Sequence, residues 1–358
     1  PSRSHPQALP QPLLPPNIAL QNPTLIGGYS YVAFPDLDKV IVMIDRDGDE
    51  NYQPMVVPLD GGIPGLLFGD RFEGEQLMMS HANVGENMAA FQVDHRTSPE
   101  QDTYLVDLET LEMTHLGQSL YGNYVNAASE DYETIILSDG YTAGDSVLYL
   151  WEAEIGERRP LCGVPLEDRE DGAEIPLTGF MQGFLTEDAE GLLIPTVLFD
   201  DRGGLGYLDM DNPETVHEVA IVGTVHSGIG EFDGLEHLDD ERYMIEYNID
   251  GVSWAYEGIF DEGARRFEVE RVLVGEPPLD NGVVQMMQYE EASGDFALSF
   301  STATTWKRWP GRASNRPTPS ARSPTTTRCS RRSRGSRGLA QKVPSPECRP
   351  HRAVLFPA

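Results

Sequence analysis

Lysine is almost missing from the first 304 residues of this chain, where Lys39 stands alone. Arginine does not make up the loss. Of the 26 Lys and Arg residues, 13 lie from Thr305 onward, together with one of the 58 Asp and Glu residues, Glu347. The body up to Thr304 therefore carries 13 basic against 57 acidic side chains, a net charge of −44. A surface of that sign repels phosphate backbones, which excludes nucleic acid as a partner of the body. The excess reads as adaptation to salt or as a solvated acidic surface; the second is the simpler reading. Cysteine is scarce as well. Cys162 is alone in the body, with Cys329 and Cys348 in the basic end, so neither a disulfide framework nor a thiolate metal site can form in the body.

Long apolar runs are also missing. None reaches the ~18 residues that a membrane helix needs. Pro1 to Pro16 is rich in proline and has no apolar centre, unlike a signal peptide. The expectation is a cytoplasmic chain without a membrane partner. Sustained helical periodicity is the last absence, and it turns attention to strands.

The stretch Val40 to Gly62 organises the rest. Val40-Ile41-Val42-Met43-Ile44 is a β-branched strand, Asp45 to Asn51 a polar turn, and Tyr52 to Leu59 a returning strand closed by Asp60-Gly61-Gly62. Pro54 lacks an amide for a ladder and suggests an edge or a bulge. The hairpin recurs, with first strands starting near Val40, Met88, Thr134, Leu192, Arg242 and Asp295, at spacings of 48, 46, 58, 50 and 53 residues. Acidic or small-residue turns precede these strands, as in Ser129-Glu130-Asp131, Glu187-Asp188-Ala189-Glu190 and Asp239-Asp240-Glu241. That period suits the four-stranded blade of a β-propeller, and a sandwich of irregular hairpins has no reason to repeat at it. The expected fold is all-β: an incomplete propeller over residues 26–304, with five blades and part of a sixth. A proline-rich arm, 1–25, precedes it and a basic Arg/Pro/Ser-rich tail, 305–358, follows. An unclosed propeller is expected to expose the apolar faces of its first and last blades, and so to behave poorly in solution.

The first unit carries more than a strand pattern. Ile44-Asp45-Arg46-Asp47-Gly48-Asp49-Glu50-Asn51-Tyr52-Gln53, followed by Val57-Pro58-Leu59-Asp60-Gly61-Gly62, resembles the blade motif of the prolyl oligopeptidase family of serine peptidases. It looks most like the acylaminoacyl-peptidase and dipeptidyl-peptidase-like bacterial branch. Gly206-Tyr207-Leu208-Asp209 and Phe296 to Thr304 sit well in the same picture, so the resemblance covers about residues 20–304. TolB-type propellers carry a similar motif. The resemblance implies a propeller that caps a following α/β-hydrolase domain and admits short peptides to a Ser-His-Asp site there. It implies no cofactor. No G-x-S-x-G elbow occurs; Val225-His226-Ser227-Gly228-Ile229-Gly230 has Val where the first glycine belongs. No catalytic, cofactor-binding or metal-binding residue is therefore assigned. The expected role is the accessory, gating propeller of a serine oligopeptidase whose hydrolase is absent from this chain, acting on short peptides through that missing domain. The alternative is a stand-alone TolB-like propeller that binds a protein partner. Oligomeric state is open.

Several residues still merit weighing. Asp45, Asp47 and Asp49 mimic the start of a calcium loop, but Glu50 and Val56 occupy the positions that need Gly and Glu, which favours a turn. His226 and Ser227 are chain neighbours and cannot face each other as base and nucleophile. His95, His115, His217 and His237 are scattered singly, without ligand spacing. Arg158, Arg159, Arg202, Arg242, Arg265, Arg266 and Arg271 could grip an anion, but surface ion pairs in an acidic shell account for them. Trp254 with Tyr256, and Tyr29 with Tyr31, alternate and so share a sheet face, as packing between blades requires.

At Thr305 strand alternation gives way to Arg, Pro, Ser and Thr, and the charge flips to a net +12 for the tail. Such a composition cannot bury enough apolar surface to fold. A basic arm for an acidic partner is one reading. A shifted reading frame in a GC-rich gene is the other, and it explains why the change falls in mid-blade. On this hypothesis, moving the frame by one base near Thr304 restores strand alternation and later a G-x-S-x-G elbow. The nucleotide sequence decides: if neither shifted frame stays open past the present stop, the tail is a genuine extension.

Overall fold

The computed structural model describes residues 12–21, 28–290, 293–303 and the backbone of 305–307. The fold is an all-β propeller built from four-stranded antiparallel blades in chain order. The first blade runs Tyr31–Phe34, Lys39–Ile44, Gln53–Pro58 and Gly65–Leu66. The second is Gln76–Asn83, Met88–Asp94, Gln101–Asp107 and Met113–Ser119. The third is Tyr124–Ala128, Thr134–Thr142, Asp145–Glu152 and Arg158–Cys162. The fourth is Phe184–Leu185, Gly191–Thr196, Gly204–Asp209 and Val216–Val222. Gly230–Asp239, Arg242–Ile249, Val252–Asp261 and Arg266–Val274 adjoin in the same order but are not a separate sheet, because Ala220, Ile221 and Val222 of the fourth blade pair in parallel with Arg266, Phe267 and Glu268. Gly282–Glu290, Asp295–Thr302 and Thr305–Lys307 make a further, three-stranded sheet. Among the described residues helix is confined to two short 3-10 turns, Pro35–Leu37 and Leu166–Asp168, and none is long and apolar enough to cross a membrane.

The hairpins read from the sequence are the second and third strands of each blade. The second strands of the first four blades have apolar cores without alternation because both their faces are covered. Along Met88–Asp94, Ala89, Phe91 and Val93 enter a core with Phe34, Ile41, Met43, Leu77 and Met79. Ala90, pointing the other way, joins Leu116, Val125, Ile135, Leu137 and Trp151. One blade further, Ile135 and Leu137 face the second blade while Ile136 meets Phe180, Leu192, Ile194 and Leu208 of the fourth. Residues two apart share a face, so each strand serves two cores.

Each second strand is entered through a left-handed residue. Asp38, Asn87, Tyr132, Ala189, Asp240 and Gly294 have φ of 52°, 53°, 58°, 57°, 45° and 64°. Neighbouring side chains hold these turns. Asp131 accepts the Glu133 amide at 3.0 Å and the Ser129 hydroxyl at 2.7 Å. Asp188 accepts the Glu190 amide at 3.1 Å and the Thr186 hydroxyl at 2.8 Å. The acidic residues ahead of the strands are thus Asx-turn formers that stabilise a backbone most residues avoid.

Two expectations change. Pro54 lies in a third strand, opposite Met43, not at an edge. It is tolerated because Met43 turns its amide to Ser30 and its carbonyl to Gln21, so this pairing asks no amide of Pro54. The first blade does not expose its outward face either. Val40, Val42 and Val57 are at most 4% exposed there, covered by Leu13, Leu14 and Leu20 of the proline-rich segment. The backbone of Thr305–Lys307 pairs with Phe300–Thr302, so the last hairpin spans the point where composition changes. The rest of the tail lies outside the described residues.

The chain divides into two compact units, 1–222 with 231–235 and 260–268, and 223–230 with 236–259 and 269–358. The first holds the cores of blades one to four. The second has its own core of Leu238, Met244, Ala255, Val274, Leu279, Phe296 and Phe300. In the first unit Phe91 is 1% exposed and meets Phe68 edge-on at 5.2 Å. Phe91→Ala is expected to cost about 3–5 kcal/mol, read as a lower urea midpoint with unchanged slope.

Candidate functional site

Buried polar side chains gather toward the second-to-third-strand hairpins of blades two to four, where Gln92, Thr103, Asn123, Asp139, Ser146, Thr178 and Thr196 are all under one-tenth exposed. They carry backbone from one blade to the next. Thr103 donates to the Asn123 carbonyl at 2.8 Å, and Gln92 donates to the Gly122 carbonyl. Asn126 donates to the Met181 carbonyl at 2.7 Å and accepts the Gly183 amide at 3.1 Å.

At this end of the third blade the polar groups meet an aromatic surface. Arg158, on the fourth strand, donates to Asp139 at 3.0 Å and to the Asn123 side chain at 2.6 Å. Asp139 also accepts the Asn123 amide at 2.9 Å. The guanidinium lies 4.1 Å from the centre of the Tyr149 ring. Gly117, at φ 124°, leaves the space, since a Cβ there would come within 3.2 Å of Arg158 Cδ. Beside this, Arg169 grips Asp145 with two hydrogen bonds of 2.7 and 2.9 Å and covers Tyr141 at 4.9 Å. Tyr141 meets Tyr121 edge-on at 4.6 Å. Burial raises the Tyr149 phenol, and its contacts with Tyr141 and Asp139 add to the rise. Burial likewise raises Tyr124, with Asp139 adding to it. The Asp145 hydrogen bond raises Arg169 further. Outward, Leu120, Tyr121 and Tyr124 remain 52%, 37% and 40% exposed. Both guanidiniums are neutralised, so the patch offers ring faces and edges rather than a bare cation. It suits an apolar or aromatic side chain on an extended peptide better than an isolated anion.

The residues singled out in the sequence scatter over the molecule. Asp45 and Asp49 fold back on their own turn, accepting the amides of Glu50 at 3.2 Å and Asn51 at 3.0 Å. Among the described residues no group of three or more His, Cys, Asp and Glu side chains is disposed to hold a metal ion. In the second unit, His226 turns to Tyr256, with Nδ1 2.7 Å from the phenol oxygen, and not to Ser227. Its ring lies 4.7 Å from Tyr247 and 5.8 Å from Trp254, and burial lowers its pKa. Trp254 and Tyr256 do share a face, stacked at 15°, against this histidine. Tyr31 packs beneath the first blade's outward face. His217 lies opposite Tyr207 in the fourth blade, and His237 bonds the Asp240 carbonyl at 2.8 Å.

The arginines are paired, but several pairs are not on the surface. Arg159–Glu152, Arg202–Asp200 and Arg266–Glu268 are exposed contacts, as expected. Arg265 lies over Tyr207 at 5.8 Å. Asp139, facing Arg158, has a side chain only 2% exposed. Glu257, 3% exposed, takes both Arg242, at 3.3 Å, and Arg271. These carboxylates lie in dry surroundings, where a missing partner is costly.

His95 and His115 are not isolated. His95 bridges Glu75 at 2.9 Å and Asp102 at 2.8 Å, and His115 reaches the other oxygen of Asp102 at 2.5 Å. Their separation in sequence hid this, since opposed strands of the second blade bring them together. A more apolar site holds His81, bonded to the Tyr132 hydroxyl at 3.2 Å.

No protein-family model matches this chain, and no curated protein matches it either. Solved structures do. A prolyl endopeptidase, from a study of two such enzymes and their inter-domain dynamics, aligns at TM-score 0.42 with 11% identity, over 78% of this chain and 48% of that one. TolB from Acinetobacter baumannii aligns at 0.44 with 13% identity, over 78% and 64%. Prolyl oligopeptidase B from Galerina marginata aligns at 0.48 with 9% identity, over 75% and 40%. The chain spans less than two thirds of the length of each. The likeness concerns the fold; the blades described above stand on their own pairing.

The histidine contacts set opposite pH trends. The hydrogen bond to Glu75, then that to Asp102, raises the His95 pKa. Its stabilisation is complete below the ordinary value of about 6.5 and is lost as pH rises through the raised folded value. Burial lowers His81 to about 4. Its contribution is complete above about 6.5 and drains away as pH falls toward the folded value. In thermal melts from pH 4 to 9, His95→Gln should narrow its deficit against the parent as pH rises. His81→Gln should narrow its deficit as pH falls. Parallel melting curves for either variant and the parent would remove that histidine from the linkage.

Proposed function

We propose that this chain is the accessory propeller of a serine oligopeptidase, serving to admit short peptides and to dock on an α/β-hydrolase domain not present in the chain. The observation that carries the reading is the blade motif of Ile44 to Gln53 with Val57 to Gly62, which runs from the end of the second strand through the connecting loop into the third strand and the turn after it in a four-stranded blade. The exposed Leu120, Tyr121 and Tyr124 give it a surface for peptide side chains, backed by the neutralised Arg158 and Arg169. Where a gating surface must sort peptides without holding them, weak aromatic contact serves better than a free charge. Burial raises the phenols of Tyr124 and Tyr149 in this patch, which disfavours either as a nucleophile.

The chain as it stands should turn over no acyl-aminoacyl or dipeptidyl chromogenic substrate and take up no fluorophosphonate. Stoichiometric labelling of one of its serines would falsify the assignment of catalysis to a separate domain. Translated through the restored frame, the longer protein should cleave short peptides. Tyr121→Ala with Tyr124→Ala should then raise KM by roughly 3- to 10-fold while leaving kcat in place. Unchanged KM for every peptide tested would remove the aromatic patch from the substrate path.

A further inference from the structure

Within the first unit, inner sheet faces are covered by neighbouring sheets. The second blade lies between the first and the third, and the third between the second and the fourth. The first blade differs on its outward side. There Leu13, Leu14 and Leu20 lie on Val40, Val42 and Val57, with Tyr31, Ile44, Met55 and Leu59 around them. The segment is tied at both ends by backbone. Gln21 donates its amide to the Met43 carbonyl at 2.9 Å, and Gly62 donates to the Leu13 carbonyl at 3.3 Å. The turn beneath is shaped for it. Gly61 has φ 92°, and a Cβ there would stand 3.2 Å from the Leu13 carbonyl oxygen and 3.4 Å from that of Pro12. Proline at positions 12, 15 and 16 fixes φ at three points of a segment that bends at Leu13 and Leu14 and turns after Pro15, where the Ile18 amide meets the Pro15 carbonyl at 3.1 Å, and this lowers the entropy lost when it settles.

From this geometry we infer that residues 12–21 are an intramolecular cap, holding the seat that a neighbouring blade takes elsewhere and keeping the first blade from stacking on a second copy of this chain. The face beneath is apolar, with Val40 and Val42 of one strand beside Val57 of the next at its centre, the kind of surface that associates with its like when bare. The cap's leucines satisfy that face without offering a strand edge.

The test uses the full chain with Leu13→Asp, Leu14→Asp and Leu20→Asp together. Far-UV circular dichroism should keep its β signal, while sedimentation velocity should show self-association that grows with protein concentration. A synthetic peptide of residues 10–22, added in excess, should return the variant to the sedimentation coefficient of the parent. A variant of intact β signal that sediments as the parent does at every concentration overturns the proposal, as does association that the peptide leaves untouched. Loss of the β signal does not end the matter, because the unsubstituted chain supplies a second reading. In hydrogen exchange the amides of Gln21 and Gly62 should be protected together, and exchange of both at the rate of an open chain rejects the cap.

Discussion

The constraint on which this molecule depends is two-sided burial of the second strand in each of the first four blades. A sheet that faces water on one side tolerates alternation of apolar and polar residues. Here Lys39–Ile44, Met88–Asp94 and Gly191–Thr196 have interiors buried without a break. Phe91 and Ala90, adjacent in sequence, belong to different cores. The cores between the first and second, second and third, and third and fourth blades are therefore each shared by two sheets. The first blade obeys the same rule by a different means, since leucines from an irregular segment supply the cover that a sheet supplies elsewhere.

Charge works around this constraint. An acidic body with so few cations cannot leave buried carboxylates unpaired, and arginine is used where pairing matters most. Arg158 serves Asp139, while Arg242 and Arg271 converge on Glu257. The planar guanidinium also covers a ring, as Arg158 does Tyr149 and Arg169 does Tyr141, which a lysine would do less well. Many other acids act locally, as Asp131 and Asp188 do in bending the chain into the second strands.

The recurrence of a hairpin, its polar turns and its period were all legible, because they depend on neighbours in sequence. First strands were not. Phe184–Leu185 is two residues long, and Gly230–Asp239 interleaves apolar residues with Glu231, Asp233 and Glu236. Neither announces itself without the strand beside it. The left-handed residues were hidden for a related reason. Tyr132 and Ala189 are poor candidates for positive φ on type alone, and hold it because Asp131 and Asp188 satisfy the following amides. Of the candidate patch, Arg158 alone had been noticed. Tyr121, Tyr124, Tyr141 and Arg169 are spread over different strands and loops, and no spacing rule joins them.

By itself the sequence determined the class of fold, the blade period, the acidic sign of the surface and the turns, since each follows from composition or from contacts a few residues apart. Tertiary structure alone decided which residues meet. It joined His95 and His115 through Asp102, turned His226 toward Tyr256, drew Arg158 under Tyr149 and laid Leu13, Leu14 and Leu20 over the first blade. The reason is physical. Strand pairing and sheet stacking bring together residues tens of positions apart, and a one-residue change in register would send each of those side chains to the opposite face.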